Sequence, residues 1–384
     1  MSRIAILGSG AWGTAIALSL HRRGGHQIIL WAHTPELAHQ ILDAGENTQF
    51  LPGFPIPPAI AVTADCAAIT AADILVSAIP SEFLRPTLLR IRTHLRNGQI
   101  VLSATKGVED RTFLRMTEVL ADCLGQQQSS RQGTTRPPLG LVPQPDGENS
   151  GASAPVALTP PAPLTPLSSP SSLVPSPCLP PIGALSGPSF ALEVAQGQPT
   201  AVTVAFTDPQ VAALVQQEFS SESLRLYTST DVIGVELGGA LKNVIAIAAG
   251  IAVGVGLGSN SAAALITRGI VEITRLAVAC GARRETLAGL SGVGDLVLTC
   301  TGSLSRNRTV GEQLGQGRKL PEILESLGGK VAEGVLTTRA ALGLARKHGV
   351  EMPIAEQMEL ILNKGKDPRE AIRDLMLRPG KEER

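Results

Sequence analysis

Aromatic residues are scarce: one Tyr, two Trp and seven Phe make up 3% of the 384 residues. A chain this poor in rings lacks the base-stacking platform that single-stranded nucleic acid requires, and its cores must be aliphatic. Excess charge is also missing. Lys plus Arg and Asp plus Glu both number 33, so no global field draws the chain to nucleic acid or to an anionic membrane. The five cysteines (Cys66, Cys123, Cys178, Cys280 and Cys300) are odd in number and widely spaced, with no Cys-x-x-Cys pair. That pattern fits a reducing compartment, the cytoplasm, and argues against structural zinc. Histidines 21, 26, 33, 39, 94 and 348 include no His-x-x-x-His, so no metal site is expected. A Gly-x-Ser-x-Gly elbow and a Walker lysine motif are absent as well.

Long hydrophobic runs are few. Met1-Ser2-Arg3 leads into Ile4-Ala5-Ile6-Leu7, too short for a signal-peptide core and followed by glycines, so the mature protein is expected to begin here. The uncharged stretch 243–267 has the length of a membrane helix, but Gly254, Gly256 and Gly258 followed by Ser259-Asn260-Ser261 divide it. Two buried helices fit better than a stable membrane insertion.

Short apolar runs at 4–7, 28–31, 60–63, 74–78 and 100–103 alternate with helical patterns such as 11–23 and 82–95, the signature of a doubly wound, mostly parallel α/β sheet. Further strands are expected at 182–185, 201–205 and 224–227. From Asp231 onward the pattern is almost entirely helical. These features predict a Rossmann-type domain over 1–229 and an all-α substrate and catalytic domain over 230–384. From about 125 to 181 the chain is dominated by Gln, Ser, Thr, Gly and Pro, which bury too little apolar surface to offset ordering entropy. An inert disordered insert is expected, with a Pro-rich docking segment as the alternative.

Gly8-Ser9-Gly10-Ala11-Trp12-Gly13 follows the first strand and opens a helix. In that context Gly8 permits the tight turn, Gly10 admits a pyrophosphate to the backbone, and Gly13 lets helix and sheet pack closely. The bland alternative is an ordinary glycine turn. The second strand ends in Trp31-Ala32-His33-Thr34 without a carboxylate, and Glu36 comes only after Pro35. No acid stands there to repel a 2′-phosphate, so NADP should be accepted as well as NAD, with His33 either assisting or merely lying on the surface.

Lys242 is the only charged side chain between Glu236 and Arg268, in a stretch otherwise built largely of Gly, Ala, Val, Ile and Leu. An ammonium in apolar surroundings loses hydration, and its pKa falls toward neutrality, where it can exchange protons. A helical frame over 236–244 would set Lys242 beside Gly238 and Gly239, whose missing side chains leave room for a small ligand. A snorkelling lysine at a helix end is the alternative. Lys106, in Ala104-Thr105-Lys106-Gly107, falls just past a strand, at the edge where open α/β sheets bind ligands, or is a solvated turn residue. Ser186-Gly187-Pro188-Ser189-Phe190-Ala191 ends the next strand, where Ser189 could cap a helix or line a pocket. Asp295 follows a glycine turn as a plausible helix cap. Ser305-Arg306-Asn307-Arg308 combines guanidiniums with small polar groups, suited to a dianionic phosphate or to a solvated surface.

Together with Thr299-Cys300-Thr301, Lys330-Val331-Ala332-Glu333-Gly334 and Val350-Glu351-Met352-Pro353-Ile354, these motifs resemble the bacterial NAD(P)-dependent glycerol-3-phosphate dehydrogenases over nearly the whole chain outside the insert. The resemblance implies reduction of dihydroxyacetone phosphate to sn-glycerol 3-phosphate, the glycerophospholipid precursor, with NADPH or NADH and without a metal. It implies that Lys242 transfers the proton and that Lys106, Gly187, Ser189, Lys242, Asp295, Ser305, Arg306 and Asn307 contact substrate. It assigns cofactor contacts to Gly8, Gly10, Ala11, Trp12, Gly13, His33, Lys106, Ala191, Arg306, Val331 and Glu333. Two departures stand out: the insert has no family counterpart, and Ala262 replaces a residue that is often basic. A ketopantoate-type reductase and a non-catalytic nucleotide sensor are the rival readings. A homodimer is compatible with the apolar helical half.

Overall fold

A computed structural model describes residues 1–96, 98–131, 179–327, 333–380 and 382–383. Its strands are β1 (Ser2–Leu7), β2 (His26–Trp31), β3 (Glu46–Asn47), β4 (Leu51–Pro55), β5 (Ile60–Thr63), β6 (Ile74–Ser77), β7 (Ile100–Ser103), β8 (Ile182–Ser186), β9 (Thr200–Ala205) and β10 (Leu224–Ser229). The helices among them are α1 (Ala11–Arg23), α2 (Pro35–Ala44), α3 (Ser81–Ile91), α4 (Met116–Arg131), α5 (Ala191–Ala195) and α6 (Pro209–Phe219).

Eight strands form one sheet in the order β10-β9-β8-β7-β6-β1-β2-β5. From β5 to β8 all neighbours are parallel. β9 then pairs antiparallel with β8, and β10 parallel with β9, so the last two strands run the other way. The alternation of side chains along β1 explains the layering. Ile4 and Ile6 face one way, into a core shared with Ile16, Leu20, Leu37 and Ile41 of α1 and α2. Ala5 and Leu7 face the other way, against Leu84, Leu88 and Ile91 of α3 and Val119 of α4. Covering on both faces is why these strands read as continuous apolar runs. Because β1, β2, β6, β7 and β8 are parallel, Gly8, His33, Ala78, Lys106 and Gly187 all emerge at one edge of the sheet.

The remaining helices are α7 (Val232–Val255), α8 (Ser259–Ala279), α9 (Arg284–Leu287), α10 (Asp295–Thr301), α11 (Arg306–Gly315), α12 (Leu320–Ser326), α13 (Glu333–His348), α14 (Pro353–Lys364) and α15 (Pro368–Met376). α7 is the axis of this half, and α8, α10, α11, α13 and α14 pack around it. Asp231 starts α7 by accepting from Gly234 N at 2.8 Å, and left-handed Gly256 ends it. Among the described residues α7 is the single helix long and apolar enough to cross a membrane, yet protein covers most of it. A buried tether joins the halves: Glu236 of α7 accepts from Arg115 Nη1 at 2.6 Å and from Thr117 N at 2.8 Å, just where α4 begins.

Of the insert expected over about 125–181, residues 125–131 belong to α4 instead, and 132–178 lie outside the described residues.

Candidate active site

Gly8 carries the chain from β1 into α1 at φ 109°, and a Cβ on it would lie 2.9 Å from the Ala78 carbonyl oxygen. A Cβ on Gly13 would lie 1.9 Å from the Gly8 carbonyl oxygen, so glycine is required at both positions for turn and helix to close on the strand. Gly10 differs. A Cβ there would meet nothing within 4 Å, and as the N-cap of α1 it offers no capping side chain, leaving open space before the helix's free N–H groups. Ser9 Oγ and Trp12 Nε1, on either side of Gly10 in the sequence, are buried and without a hydrogen-bond partner. Asn47 steadies the turn from behind, donating to Ser9 O at 2.7 Å and to Thr14 Oγ1 at 2.9 Å. Open glycine and helix N-terminus together fit the pyrophosphate of a dinucleotide.

Across the strand ends, Lys242 of α7 is 6% exposed and Asp295, the first residue of α10, is 0% exposed. Lys242 Nζ donates to Asp295 Oδ1 in a very short contact and to Thr299 Oγ1 at 2.8 Å. Lys106 reaches the same carboxylate from the end of β7, with Nζ 2.7 Å from Asp295 Oδ2 and 3.2 Å from Gly187 O. One carboxylate therefore holds two ammonium groups, one from each half of the chain. Burial drives the Lys242 pKa down to about 8; Asp295 opposes the fall, and Lys106 adds to it. Its ammonium and amine forms are thus both accessible near neutral pH.

Glu333, half-buried at the start of α13, accepts from Asn243 Nδ2 at 3.2 Å, and Asn307 Oδ1 accepts from Gly334 N at 3.0 Å. Burial raises the Glu333 pKa against the pull of nearby Arg306, Lys106 and Lys242. Lys106, Lys242 and Arg306 thus stand among the carboxylates Asp295 and Glu333, and Glu82, its pKa raised by burial and by Glu333, adds a third acid nearby. Arg306, first residue of α11, is exposed, and Ser305 caps that helix by accepting from Arg308 N at 3.2 Å. α11 can lie directly against α7 because of glycine: a Cβ on Gly250 would stand 2.0 Å from the Arg308 carbonyl oxygen.

Three local expectations are corrected. Gly238 and Gly239 leave no room for a ligand, because a Cβ on the first would lie 2.4 Å from Ser291 O and on the second 2.2 Å from Ser186 Oγ. They admit protein instead, and so bring Lys242 up to the strand ends. Ser189 caps no helix; its hydroxyl donates to Gly187 O at 3.0 Å, and Phe190 is the N-cap of α5, with half-buried Ala191 as the first residue. Asp295 is not a cap either, since its carboxylate is committed to the two lysines. His33 is exposed at the end of β2, Ala11 and Trp12 are half-buried in the first turn of α1, and Ala262 is half-buried in the first turn of α8. Val331 lies outside the described residues.

Sequence reasoning gave no role to Asn47, Thr299 or Asn243. Thr299 was recoverable, because it follows Asp295 by one helical turn and therefore shares its face. The others act through contacts between distant segments, for which a single sequence carries no signal.

The profile described as NAD-dependent glycerol-3-phosphate dehydrogenase N-terminus matches residues 3–132 and 173–212, and its C-terminus counterpart matches residues 231–373. The chain is 52% identical over 387 aligned residues to the glycerol-3-phosphate dehydrogenase [NAD(P)+] of Acidobacterium capsulatum, covering 100% of both. It is 50% identical to that of Koribacter versatilis, over 99% of this chain and 98% of the relative. The crystal structure of the Coxiella burnetii glycerol-3-phosphate dehydrogenase superposes with a TM-score of 0.81 at 33% identity, covering 98% of this chain and 99% of that one. Full-length identity, both profiles and the shared fold agree: the chain belongs to the NAD-dependent glycerol-3-phosphate dehydrogenase family.

Proposed function

We propose that this chain reduces dihydroxyacetone phosphate reversibly to sn-glycerol 3-phosphate, using NADPH or NADH, with Lys242 as the proton-transferring residue. The observation that carries the mechanism is the buried cluster in which Asp295 holds Lys242 and Lys106 at the sheet edge that also bears the glycine turn. Residues 1–229 serve as the dinucleotide-binding domain and 230–384 as the substrate and catalytic domain. Gly8, Gly10, Ala11, Trp12, Gly13, His33, Lys106, Ala191, Arg306, Val331 and Glu333 hold the cofactor, which supplies the hydride when bound.

The Lys242 ammonium donates a hydrogen bond to the substrate carbonyl oxygen and releases its proton to that oxygen as it becomes an alkoxide. In the reverse direction neutral Lys242 takes the hydroxyl proton. Asp295 and Thr299 set the direction of the amine, while Lys106 supplies a second positive charge close by. Ser305, Arg306 and Asn307 at the start of α11 bind the phosphate, assisted by the helix N-terminus, with Gly187 and Ser189 closing the strand side. Binding energy from the phosphate is spent on orienting a carbonyl it does not touch, so phosphate-free ketones lose turnover as well as affinity.

The product is a precursor for glycerophospholipids. The odd number of cysteines, with Cys66, Cys123, Cys280 and Cys300 free among the described residues, and the buried α7 favour a cytoplasmic enzyme without stable membrane insertion, and the apolar helical half favours a homodimer. The test is a steady-state assay with dihydroxyacetone phosphate and each reduced nicotinamide, beside a panel of 2-keto acids. Turnover of the phosphorylated ketone supports the reading, and preference for a 2-keto acid overturns it.

A further inference from the structure

We infer that Arg90, from helix α3, receives the 2′-phosphate of NADP(H) and so decides how far this chain accepts the phosphorylated cofactor. The inference rests on the dinucleotide reading of the glycine turn. In such folds the ribose of the adenosine half falls at the end of the second strand, where a carboxylate selects the free hydroxyl and a guanidinium selects the phosphate. Here β2 ends at Trp31, and the following Ala32, His33 and Thr34 bring no carboxylate. Glu36 lies beyond Pro35, in the first turn of α2.

Arg90 fills the position by tertiary contact. Its Nη2 donates to the His33 carbonyl oxygen at 3.1 Å, and its Cζ lies 5.1 Å from the centroid of the Trp31 ring. That indole is itself fixed. Trp31 is 1% exposed, and its Nε1 donates to Ala64 O at 3.2 Å. A planar guanidinium lying over an immobilised ring, with one nitrogen tethered to the strand end, loses little freedom when an anion arrives. Its remaining N–H groups suit two oxygens of a phosphate dianion. Arg90 is exposed, so this is not a core pair whose other donors are already consumed. His33, one residue past Ala32, stands on the same strand end and can add a donor of its own.

The test is binding of each nucleotide to the full chain in the absence of substrate, read by cofactor fluorescence for wild type, Arg90→Met and Arg90→Lys. Wild type should bind both cofactors. Arg90→Met should weaken NADPH by about tenfold or more and NADH by less than about twofold, with Arg90→Lys between. Adenosine 2′,5′-bisphosphate should displace NADPH from wild type better than adenosine 5′-monophosphate does, and that advantage should shrink in Arg90→Met. Equal weakening of both cofactors would assign Arg90 to packing on Trp31 and overturn the inference. An unchanged NADPH-to-NADH ratio overturns it too, while leaving the dinucleotide reading intact. A wild-type chain that binds neither cofactor removes both.

Discussion

Lys106 Nζ and Asp295 Oδ2 meet at 2.7 Å although 189 positions separate them, joining the end of a sheet strand to the first turn of a helix in the other half. The same carboxylate engages Lys242, so the acid beside the proposed proton donor also ties it to the strand ends that bear the glycine turn. Removing Lys242 leaves Asp295 paired with Lys106, and no uncompensated buried charge remains. Lys242→Met should therefore fold and bind NADPH, yet lose roughly a hundred- to ten-thousandfold in turnover, the usual contribution of a positioned acid–base group. Turnover within a few-fold of wild type, in a variant that titrates normally with NADPH, would remove Lys242 from the mechanism.

The Lys242 pKa of about 8 fixes the direction of the pH response. Ketone reduction needs the ammonium, so its kcat/KM should fall as pH rises through about 8, whereas oxidation of glycerol 3-phosphate should rise over the same interval. Asp295 stabilises the ammonium, so Asp295→Asn should move both limbs toward lower pH. Profiles for the two directions, recorded in wild type and variant, check this. A limb that stays in place would show that some other group titrates.

Arg306 opens α11 beside Glu333 and carries the guanidinium expected to meet the phosphate. Arg306→Ala should raise the KM for dihydroxyacetone phosphate by about tenfold or more and lower turnover as well, because a loosely held phosphate leaves the carbonyl misplaced. An unchanged KM would move phosphate recognition elsewhere.

Much of this architecture could be read from the chain because its signals are local. The inner strands β1, β6, β7 and β8 are short runs rich in Ile, Val, Leu and Ala buried on both faces, the edge strands β5 and β10 alternate buried with exposed residues, and Lys242 stands out as a lone charge in an apolar helix. The hairpin of β3 and β4 was missed because Pro52, Gly53 and Pro55 contradict a strand pattern. The reversal at β9 was equally hidden, since an apolar run does not encode its direction. At the site, residue types were legible and partners were not. Gly238 and Gly239 read as space for a ligand, yet that space belongs to Ser291 and Ser186, which no periodicity brings to α7.

Asn47 connects the unforeseen hairpin to the glycine turn. It is fully buried, and its amide donates to Ser9 O and Thr14 Oγ1 while its oxygen accepts from Phe50 N at 3.3 Å. In a trans peptide the C=O and the next N–H point in opposite directions, so anchoring Ser9 O aims the Gly10 N–H away from the hairpin. Asn47→Asp keeps the shape but sets a carboxylate oxygen against the Ser9 carbonyl. It should weaken both NADPH and NADH by about tenfold while changing the KM for dihydroxyacetone phosphate little. Calorimetric titration with each nucleotide measures it, and unaltered affinities would confine Asn47 to folding.

Glu272 of α8, 3% exposed, caps α14 from outside, with Oε2 accepting from Ile354 N at 3.0 Å and Oε1 from Ala355 N at 2.9 Å. Burial raises its pKa from 4.5 to about 7 despite those two donors. As pH climbs from 4.5 toward 7, the unfolded chain has already released this proton while the folded chain retains it, so this group's contribution to stability falls. The full loss, present above about 7, corresponds to about 3 kcal/mol for a shift of this size. Glu272→Gln imitates the protonated acid and cannot ionise, so its Tm should change less than that of wild type between about pH 5 and pH 8. Parallel Tm profiles for the two proteins would show that Glu272 ionises normally and that the decline, if any, arises elsewhere.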